Sequence, residues 1–437
     1  MINLLKKFEG ACPCGKQHTF GSDIYSGHDI LKNIPEYISK FNAKRAYVIC
    51  DENTHRVAGA KVEAILTAAD FDYTLYMFER SPLPNEEYID LAIKNACEGC
   101  DILIAVGSGV INDIGKLVSL HCGIPYLIVA TAPSMDGYAS QSSSVVQKGL
   151  KISLPSRSAD VIVGDIDVIK TAPKRMVVSG IGDMLAKYVS ICEWRISQML
   201  VGEYYCERIA ELVRFSLKKC TENVEGLLAG DDEAIANAFD ALTISSVAMN
   251  YAGISRPASG SEHYISHILD MRSEEFGTPC DFHGIQCGIA TYLSVKLYDK
   301  LRATVPDKER ALAHAEAFDY ETRAAELRAL LGKGAENMIS LEAKEGKFDR
   351  AKHRARLDLI IENYDKILEI AAEELPTLEY LDGLYEKLSL QKDYSYLGID
   401  KDITKKAFLY SGDIRDKYVL SRLAWDLGIE NELAEVL

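Results

Sequence analysis

The chain has 437 residues, 48% of them hydrophobic and 26% charged, enough for a large core and nearer in length to two domains than to one. Its formal net charge of −16 and isoelectric point near 5.1 oppose binding to nucleic acid or to an anionic lipid surface, which leaves small molecules as the expected partners. Eleven cysteines are scattered over a chain that opens MINLLKKFEG with no apolar leader, so reduced thiols in a soluble cytoplasmic protein are expected. The longest apolar runs, such as YLIVATA, fall short of the roughly 20 residues needed to cross a bilayer, so no membrane insertion is expected.

In chain order, the first motif is CPCGKQH, with Cys12, Cys14 and His18 close enough to suggest a zinc knuckle. The spacing is not the usual C-x-x-C and no second cysteine pair follows at finger spacing, so a segment without metal is the expectation. RAYVIC (45–50), DILIAV (101–106) and YLIVA (126–130) are short β-branched apolar runs, the pattern of strands buried on both faces. Helical-period stretches such as NEEYIDLAIKNACEGC separate them, which predicts a parallel sheet with covering helices over residues 20–170. After about residue 175 the strand signal fades and long Ala-, Leu-, Glu- and Lys-rich stretches predict an almost wholly helical second half. The proline and glycine of VIKTAPKRMVVSG mark a boundary, giving an α/β domain over 1–175 and an all-α domain over 176–437. KEGKFDRAKHRAR (344–356) reads as a solvated helix face.

The strand DILIAVG runs directly into GSGVINDIGK, so Gly107 and Gly109 stand where the chain leaves a strand and starts a helix. Glycines there let backbone N–H groups approach an anion, and the positive end of the helix adds to the attraction. The dinucleotide fingerprint G-x-G-x-x-G is not met, since Asn112 occupies the third glycine position, and an ordinary strand–turn–helix reads equally well. ATAPSMDGYAS (130–140) follows another strand and is crowded with hydroxyls, a proline, Asp136 and Gly137, a composition for lining a polar pocket. Both loops belong at the carboxyl edge of the sheet, where open α/β sheets bind ligands. Asp51 ends the first of these strands and either accepts from an adenosine ribose or caps the following turn.

His263 and His267 in SEHYISHILD share one face of a helix, and His283 follows in DFHGIQCG. Satisfied polar pairs on helices are commoner than metal cages. Asp183 in SGIGDMLAKYVSICEW stands after two glycines, as a helix cap or as a carboxylate ligand. One Asp with two His makes a three-ligand site with open positions.

Taken together, GSGVINDIGK, TAPSMDGYAS, GIGDMLAK, SGSEHYISHILDM and FHGIQCG resemble, over residues 20–300, the metal-dependent polyol dehydrogenase superfamily that also contains glycerol dehydrogenase and dehydroquinate synthase. SMDGYAS looks like its glycerol-phosphate branch. The resemblance implies a dehydroquinate synthase-like fold: a nucleotide-binding α/β domain, a helical domain and a catalytic cleft. It implies Asp183, His263 and His283 as ligands of nickel, zinc or iron, with Asp136 and His267 beside the substrate. It further implies that Gly107, Ser108, Gly109, Val110, Ile111, Asn112 and Asp113, with Thr131, Ala132, Pro133, Ser134 and nearby Ser140, hold NAD(H) or NADP(H). Ser108 departs from the family's frequent Gly-Gly-Gly. The implied reaction interconverts dihydroxyacetone phosphate and sn-glycerol 1-phosphate in a homo-oligomer, expected to be a dimer; a glycerol dehydrogenase, a dehydroquinate synthase-like lyase and a non-catalytic binding protein are the alternatives. Lys187 and Arg256 are candidates for the substrate phosphate, with a surface or salt-bridge role as the plainer reading.

Overall fold

The computed structural model describes residues 2–79 and 81–437. The chain divides into two compact units, the first made of residues up to Gln147, Ile152–Met184 and Arg208–Ser255, the second of Lys148–Lys151, Leu185–Glu207 and Arg256–Leu437.

The first unit is built on a six-stranded sheet. Its strands are β1 (Asp23–Gly27), β2 (Arg45–Asp51), β3 (Asp72–Phe78), β4 (Ile102–Gly107), β5 (Tyr126–Ala130) and β6 (Val161–Asp165). They lie in the order β1-β6-β5-β4-β2-β3, and every adjacent pair is parallel. All residues of β4, β5 and β6 are buried, as a parallel sheet covered on both faces requires. Alternate side chains such as Val48, Ile104, Val129 and Val163 form the core on one face with Leu31, Ile34, Val62 and Leu66. In the β4–β5 register Gly107 stands beside Ala130, so the two loops singled out in the sequence leave the same edge together.

The helices that bear on the site are α1 (Gly109–Cys122), α2 (Lys174–Val201), α3 (Glu207–Thr221), α4 (Asp232–Ala252), α5 (Ser261–Phe276) and α6 (His283–Arg302). From Lys174 to the C-terminus every element among the described residues is helical, as expected. The division between the units differs from the expected boundary at 175: it falls inside α2, between Met184 and Leu185, and α3 from Arg208 and all of α4 belong with the sheet. Packing explains this, because the Phe239 ring of α4 lies where a Cβ on Gly164 of β6 would stand, 2.2 Å from its nearest atom, and also meets Tyr138 with ring centroids 5.9 Å apart.

Two sequence readings need correction. The charge run at 344–356 is not simply solvated: Lys347 and His353 are buried, the Lys347 ammonium donates to the Gly412 and Arg415 carbonyls, and Arg356 pairs with buried Asp426 at 2.8 Å. Cationic stems cover apolar surface while their heads find partners across the unit. The thiols are not all reduced, since Cys97 and Cys100 form a disulfide within one short loop; the other nine cysteines are not so bonded. Among the described residues, no helix is long and apolar enough to cross a membrane.

The tightest approach in the first unit is between α2 and the loop after β5. A Cβ on Gly180 would stand 2.0 Å from the Pro133 carbonyl oxygen, so only a residue without a side chain fits. Gly180→Ala is expected to destabilise the protein by about 3 kcal/mol or more, since neither backbone can yield, whereas Gly21→Ala, which meets nothing within 4 Å, is expected to be near neutral. Urea unfolding of both variants checks this.

Candidate active site

In the first unit, the loop 131–140 is latched by its own backbone. Thr131 N–H donates to the Gly107 carbonyl at 3.2 Å, Tyr138 Oη to the Ala132 carbonyl at 2.7 Å, and Ser179 Oγ of α2 to the Ser134 carbonyl at 3.0 Å. Asp136 N–H donates to Asp183 Oδ2 at 3.0 Å, and Ser245 Oγ of α4 donates to Asp136 Oδ2 at 2.8 Å. Asp183 is therefore no helix cap. It lies more than two turns into α2, almost fully buried at 1% exposure, and its backbone partner holds Asp136 beside it.

Behind the loop, α1 supplies an anchor that the sequence did not disclose. Lys116 is fully buried, and its ammonium donates to the Gly137 carbonyl at 2.5 Å, Ser140 Oγ at 2.9 Å and the Ser142 carbonyl at 3.1 Å, with Asp113 Oδ1 at 3.5 Å. Burial lowers its pKa while Asp113 opposes that shift, so three oxygen acceptors and a carboxylate take the place of water. Asn112 is equally buried and donates to the same Gly137 carbonyl at 3.1 Å while accepting from Tyr126 Oη at 3.1 Å. Asn112 and Asp113 are thus engaged with the protein, which leaves the backbone amides that open α1 as the groups an anion could meet at this turn.

Ser108, the residue before α1, has φ −108°, which any amino acid adopts, so serine replaces glycine without backbone strain; its side chain does not cap the helix. Uncapped first-turn N–H groups at a helix start are what an anionic pyrophosphate needs. Gly107 is required for a different reason, because a Cβ there would stand 2.4 Å from Ile111 Cβ. Asp51 caps the turn after β2: its Oδ1 accepts from Thr54 N–H at 2.8 Å, while Thr54 Oγ1 accepts from Asp51 N–H at 3.0 Å.

In the second unit, α5 and the start of α6 bring three imidazoles together. Ring centroids are 5.1 Å apart for His263 and His283, 5.4 Å for His267 and His283, and 6.2 Å for His263 and His267. His263 Nδ1 meets Glu262 Oε1 at 2.8 Å, and His283 Nδ1 meets Ser266 Oγ at 3.1 Å. With Nδ1 donating to these oxygens, each ring would present Nε2 to a metal, the arrangement of metal-binding histidines. The Cys287 thiol lies 3.5 Å from His283 Nε2 and completes a close group with the two rings. Burial raises that thiol's pKa, but His263 and His283 outweigh it and leave the net shift downward.

His267 and Asp270 form a second close group with His283. Burial pushes the His267 imidazole well below 6.5 against the opposing pull of Asp270, so this ring is neutral at pH 7, a hydrogen-bonding and positioning group more than a standing acid. Burial raises Asp270, but Lys151 at 3.8 Å and the histidines hold it well below the usual carboxylate range.

Behind His263, Glu262 and Glu193 are both buried, and Gly260 leaves them room: a Cβ there would be 2.6 Å from Glu193 Oε2 and 2.7 Å from Glu262 Oε2. Burial and then Glu262 push Glu193 up to about 7. Arg256 answers this charge, fully buried with Nη1 3.9 Å from Glu193 and Nε 3.1 Å from Glu203, and donates through Nη2 to the Glu193 and Tyr418 carbonyls. Buried Lys187 donates to the Ala258 carbonyl at 3.3 Å. Arg256 is thus committed to the fold as a salt bridge, and neither cation is a surface residue.

A different pair of cations flanks the histidines. Arg415 and Lys417 each lie 5.8 Å from the centre of the Tyr264 ring, whose other neighbour is the His267 ring at 6.4 Å. Among the described residues, Arg415 Nη2 is buried without a hydrogen-bond partner, as is the Tyr264 hydroxyl. Desolvation, then Arg415 and Arg256, push the Lys417 amine well below its ordinary value, against the opposing pull of Glu203 and Asp416.

Residues 25–173 match the family model described as iron-containing alcohol dehydrogenase. The chain is 32% identical over 307 residues to a protein of Bacillus licheniformis named glycerol-1-phosphate dehydrogenase (NAD(P)+), a match covering 69% of this chain and 77% of that one. It is 30% identical to the protein of the same name from Halalkalibacterium halodurans, over 68% of this chain and 76% of the relative. The chain belongs to the glycerol-1-phosphate dehydrogenase family. A solved structure described as a probable glycerol dehydrogenase of Sinorhizobium meliloti superposes with TM-score 0.63 at 17% identity, covering 96% of this chain and all of that one (100%). Sulfoacetaldehyde reductase of Bifidobacterium kashiwanohense, solved with NAD+, superposes at 0.59 and 12% identity over 96% of this chain and 99% of that one. Both show the same fold.

The sequence reading singled out the loops, Asp136, Asp183 and the three histidines, and did not single out Lys116, which anchors the loop, or Glu262, Cys287, Arg415 and Lys417, which lie around the histidines. Glu262 was the most accessible of these, being an acidic neighbour of a histidine already singled out. Glu262→Gln replaces the carboxylate whose Oε1 accepts from Gly260 N–H at 2.7 Å and orients His263. It is expected to weaken divalent-metal affinity about 10- to 100-fold, read by metal titration with competing chelator, while circular dichroism stays unchanged.

Proposed function

We propose that the protein is a metal-dependent NAD(P) oxidoreductase interconverting dihydroxyacetone phosphate and sn-glycerol 1-phosphate. The observation that carries this reading is the imidazole pair His263 and His283, each with Nδ1 occupied, in a chain of the glycerol-1-phosphate dehydrogenase family. In this reading Asp183, His263 and His283 hold one ion of nickel, zinc or iron, and the donor set fits, with two neutral nitrogens and one carboxylate. When bound, that ion polarises the substrate carbonyl and the reduced nicotinamide supplies hydride.

The chain's own residues do the rest. The amides opening α1, over Gly107–Asp113, bind the pyrophosphate, and Thr131, Ala132, Pro133 and Ser134 line the nicotinamide side, with Ser140 fixing the loop from behind. Asp136, held by Ser245 and by the Asp183 carboxylate, orients the substrate hydroxyl. His267, kept neutral by burial, positions the same end and passes a proton at its ring nitrogen. With Arg256 committed elsewhere, the substrate phosphate falls to Arg415, whose Nη2 is buried without a hydrogen-bond partner among the described residues, and to Lys417 beside it at the Tyr264 ring. Asp51, engaged as a cap through Oδ1, keeps Oδ2 for a ribose hydroxyl, which favours NADH over NADPH. A cytoplasmic homodimer is the assembly that goes with this reading.

The test is NADH oxidation by metal-stripped protein with dihydroxyacetone phosphate or dihydroxyacetone, before and after nickel, zinc or ferrous ion. Turnover is expected to need metal and to be far faster with the phosphorylated ketone than with dihydroxyacetone; preference for dihydroxyacetone makes it a glycerol dehydrogenase, and no net oxidation of NADH with any ion favours the lyase. Arg415→Ala is expected to raise KM for the phosphorylated ketone about tenfold or more, the worth of a charged hydrogen bond, and to leave the slow reaction of the unphosphorylated ketone unchanged. Equal effects on both substrates remove Arg415 from the phosphate.

A further inference from the structure

The N-terminal hairpin of the first unit pairs Gly10–Ala11 with Gln17–His18 and encloses the turn 12–16. Strands of two residues have no core of their own and are marginal in water, yet His18 is fully buried and Cys12 and Cys14 are half-buried. The turn is closed by Cys12 N–H to the Lys16 carbonyl at 3.0 Å and by Gly15 N–H to the Cys12 carbonyl at 2.9 Å. Gly15 has φ +85°, a conformation that favours glycine, and this bend gathers the side chains: Cys12 Sγ, Cys14 Sγ and a His18 nitrogen all lie within 4.8 Å of one another.

The histidine is oriented as a ligand. His18 Nδ1 faces the Phe8 carbonyl at 3.3 Å, and because a carbonyl only accepts, Nδ1 carries the proton and Nε2 the lone pair. Nε2 stands 3.5 Å from Cys14 Sγ. Zinc–sulfur and zinc–nitrogen bonds of about 2.3 and 2.05 Å at a tetrahedral angle place their donors about 3.6 Å apart. A thiol–imidazole hydrogen bond also fits that separation, but it needs two groups, and Cys12 is a third in the same cluster. Two thiolates and an imidazole are soft donors that select zinc over magnesium or calcium.

We propose that Cys12, Cys14 and His18 bind a structural zinc ion, separate from the proposed catalytic one. Its role follows from what the hairpin touches within the first unit. The His18 ring stacks on Tyr251 of α4 with centroids 5.4 Å apart, Tyr251 Oη donates to the Leu5 carbonyl at 3.1 Å, and the Lys16 ammonium donates to the Ala252 carbonyl at 2.9 Å. Arg208 of α3 donates to the Lys7 carbonyl at 2.6 Å and lies over the Phe8 ring at 5.6 Å. The ion fixes the hairpin, and the hairpin ties the N-terminal segment to the beginning of α3 and the end of α4.

The experiment uses the full chain, purified in reductant with no added metal, its zinc counted by mass spectrometry and its zinc-edge X-ray absorption recorded. Two or three sulfur neighbours at about 2.3 Å are expected, with that shell and one zinc per chain lost in Cys12→Ser/Cys14→Ser. Cys287→Ser is expected to keep the shell, which excludes the thiol beside His263 and His283 as its source. Wild-type zinc without a sulfur shell overturns the proposal even if the double variant does not fold. So does a folded double variant with unchanged zinc and sulfur.

Discussion

The chemistry of the sheet-bearing unit hangs on one close approach, that of Gly180 in α2 to the Pro133 carbonyl. With 2.0 Å between that oxygen and the position of a Cβ, helix and loop meet backbone to backbone. Only at this separation do Ser179 Oγ reach the Ser134 carbonyl and Asp183 Oδ2 reach the Asp136 amide. The two glycines ahead of Asp183 therefore do not begin a helix; they sit inside one. A longer side chain at Gly180 would move α2 outward, and the two aspartates would lose the bond that sets their separation.

The loop is held from its other side by groups that are costly to bury singly. Lys116 enters a fully desolvated place, and its stability there comes from oxygens that are themselves immobile: two backbone carbonyls, a serine hydroxyl and Asp113. Such a network is worth its desolvation only when every donor is matched. Behind His263, Glu193, Glu262 and Arg256 form a buried triad that is matched only in part: Arg256 Nη2 donates to the Glu193 and Tyr418 carbonyls, whereas Arg256 Nε and Nη1 and Glu262 Oε2 make no hydrogen bond among the described residues. Burial and then Glu262 push Glu193 up to about 7, and Glu262 Oε1 faces His263 Nδ1 at 2.8 Å. Fixing Nδ1 in this way costs nothing at the moment a ligand arrives, which is the meaning of preorganisation.

How much of this was legible follows from the range of each signal. The runs at 45–50, 101–106 and 126–130 became strands because β-branched, apolar segments of that length have one stable use, and Tyr126–Ala130 matches its run residue for residue. The His263–His267 pair was legible because helical spacing is local. Asp183 was misplaced on the chain's local grammar, since glycines before an aspartate usually start a helix and here they serve a contact with residue 133. Lys116 and Arg415 were invisible for the same reason, their partners being 21 to 26 residues away for Lys116 and more distant still for Arg415, whereas Cys287 stands only four residues after His283 on the same helix and its spacing was there to be read. The run at 344–356 was misread because charge density reports composition, whereas burial of Lys347 and His353 depends on acceptors beyond residue 410.

An acidic chain with an anionic substrate and an anionic cofactor faces a field problem: its net charge of −16 repels both. Surface lysines do not solve it, because exposed cations are screened over about 8 Å at physiological salt. Local reversal needs positive charge inside low-dielectric walls, and the two units meet this need by different means. In the first, buried Lys116 is already matched by oxygens, so on the proposed function the amides opening α1, with no side-chain cap from Ser108, supply the attraction. The second gathers Arg415 and Lys417 beside Tyr264, with Arg415 Nη2 buried and without a hydrogen-bond partner among the described residues. Two cations so close repel each other, and a dianion reduces that repulsion only if it carries its charge to the same place. On the proposed function, discrimination between a phosphorylated triose and its neutral analogue then comes from the repulsion that the analogue leaves in place, as well as from bonds formed to the phosphate.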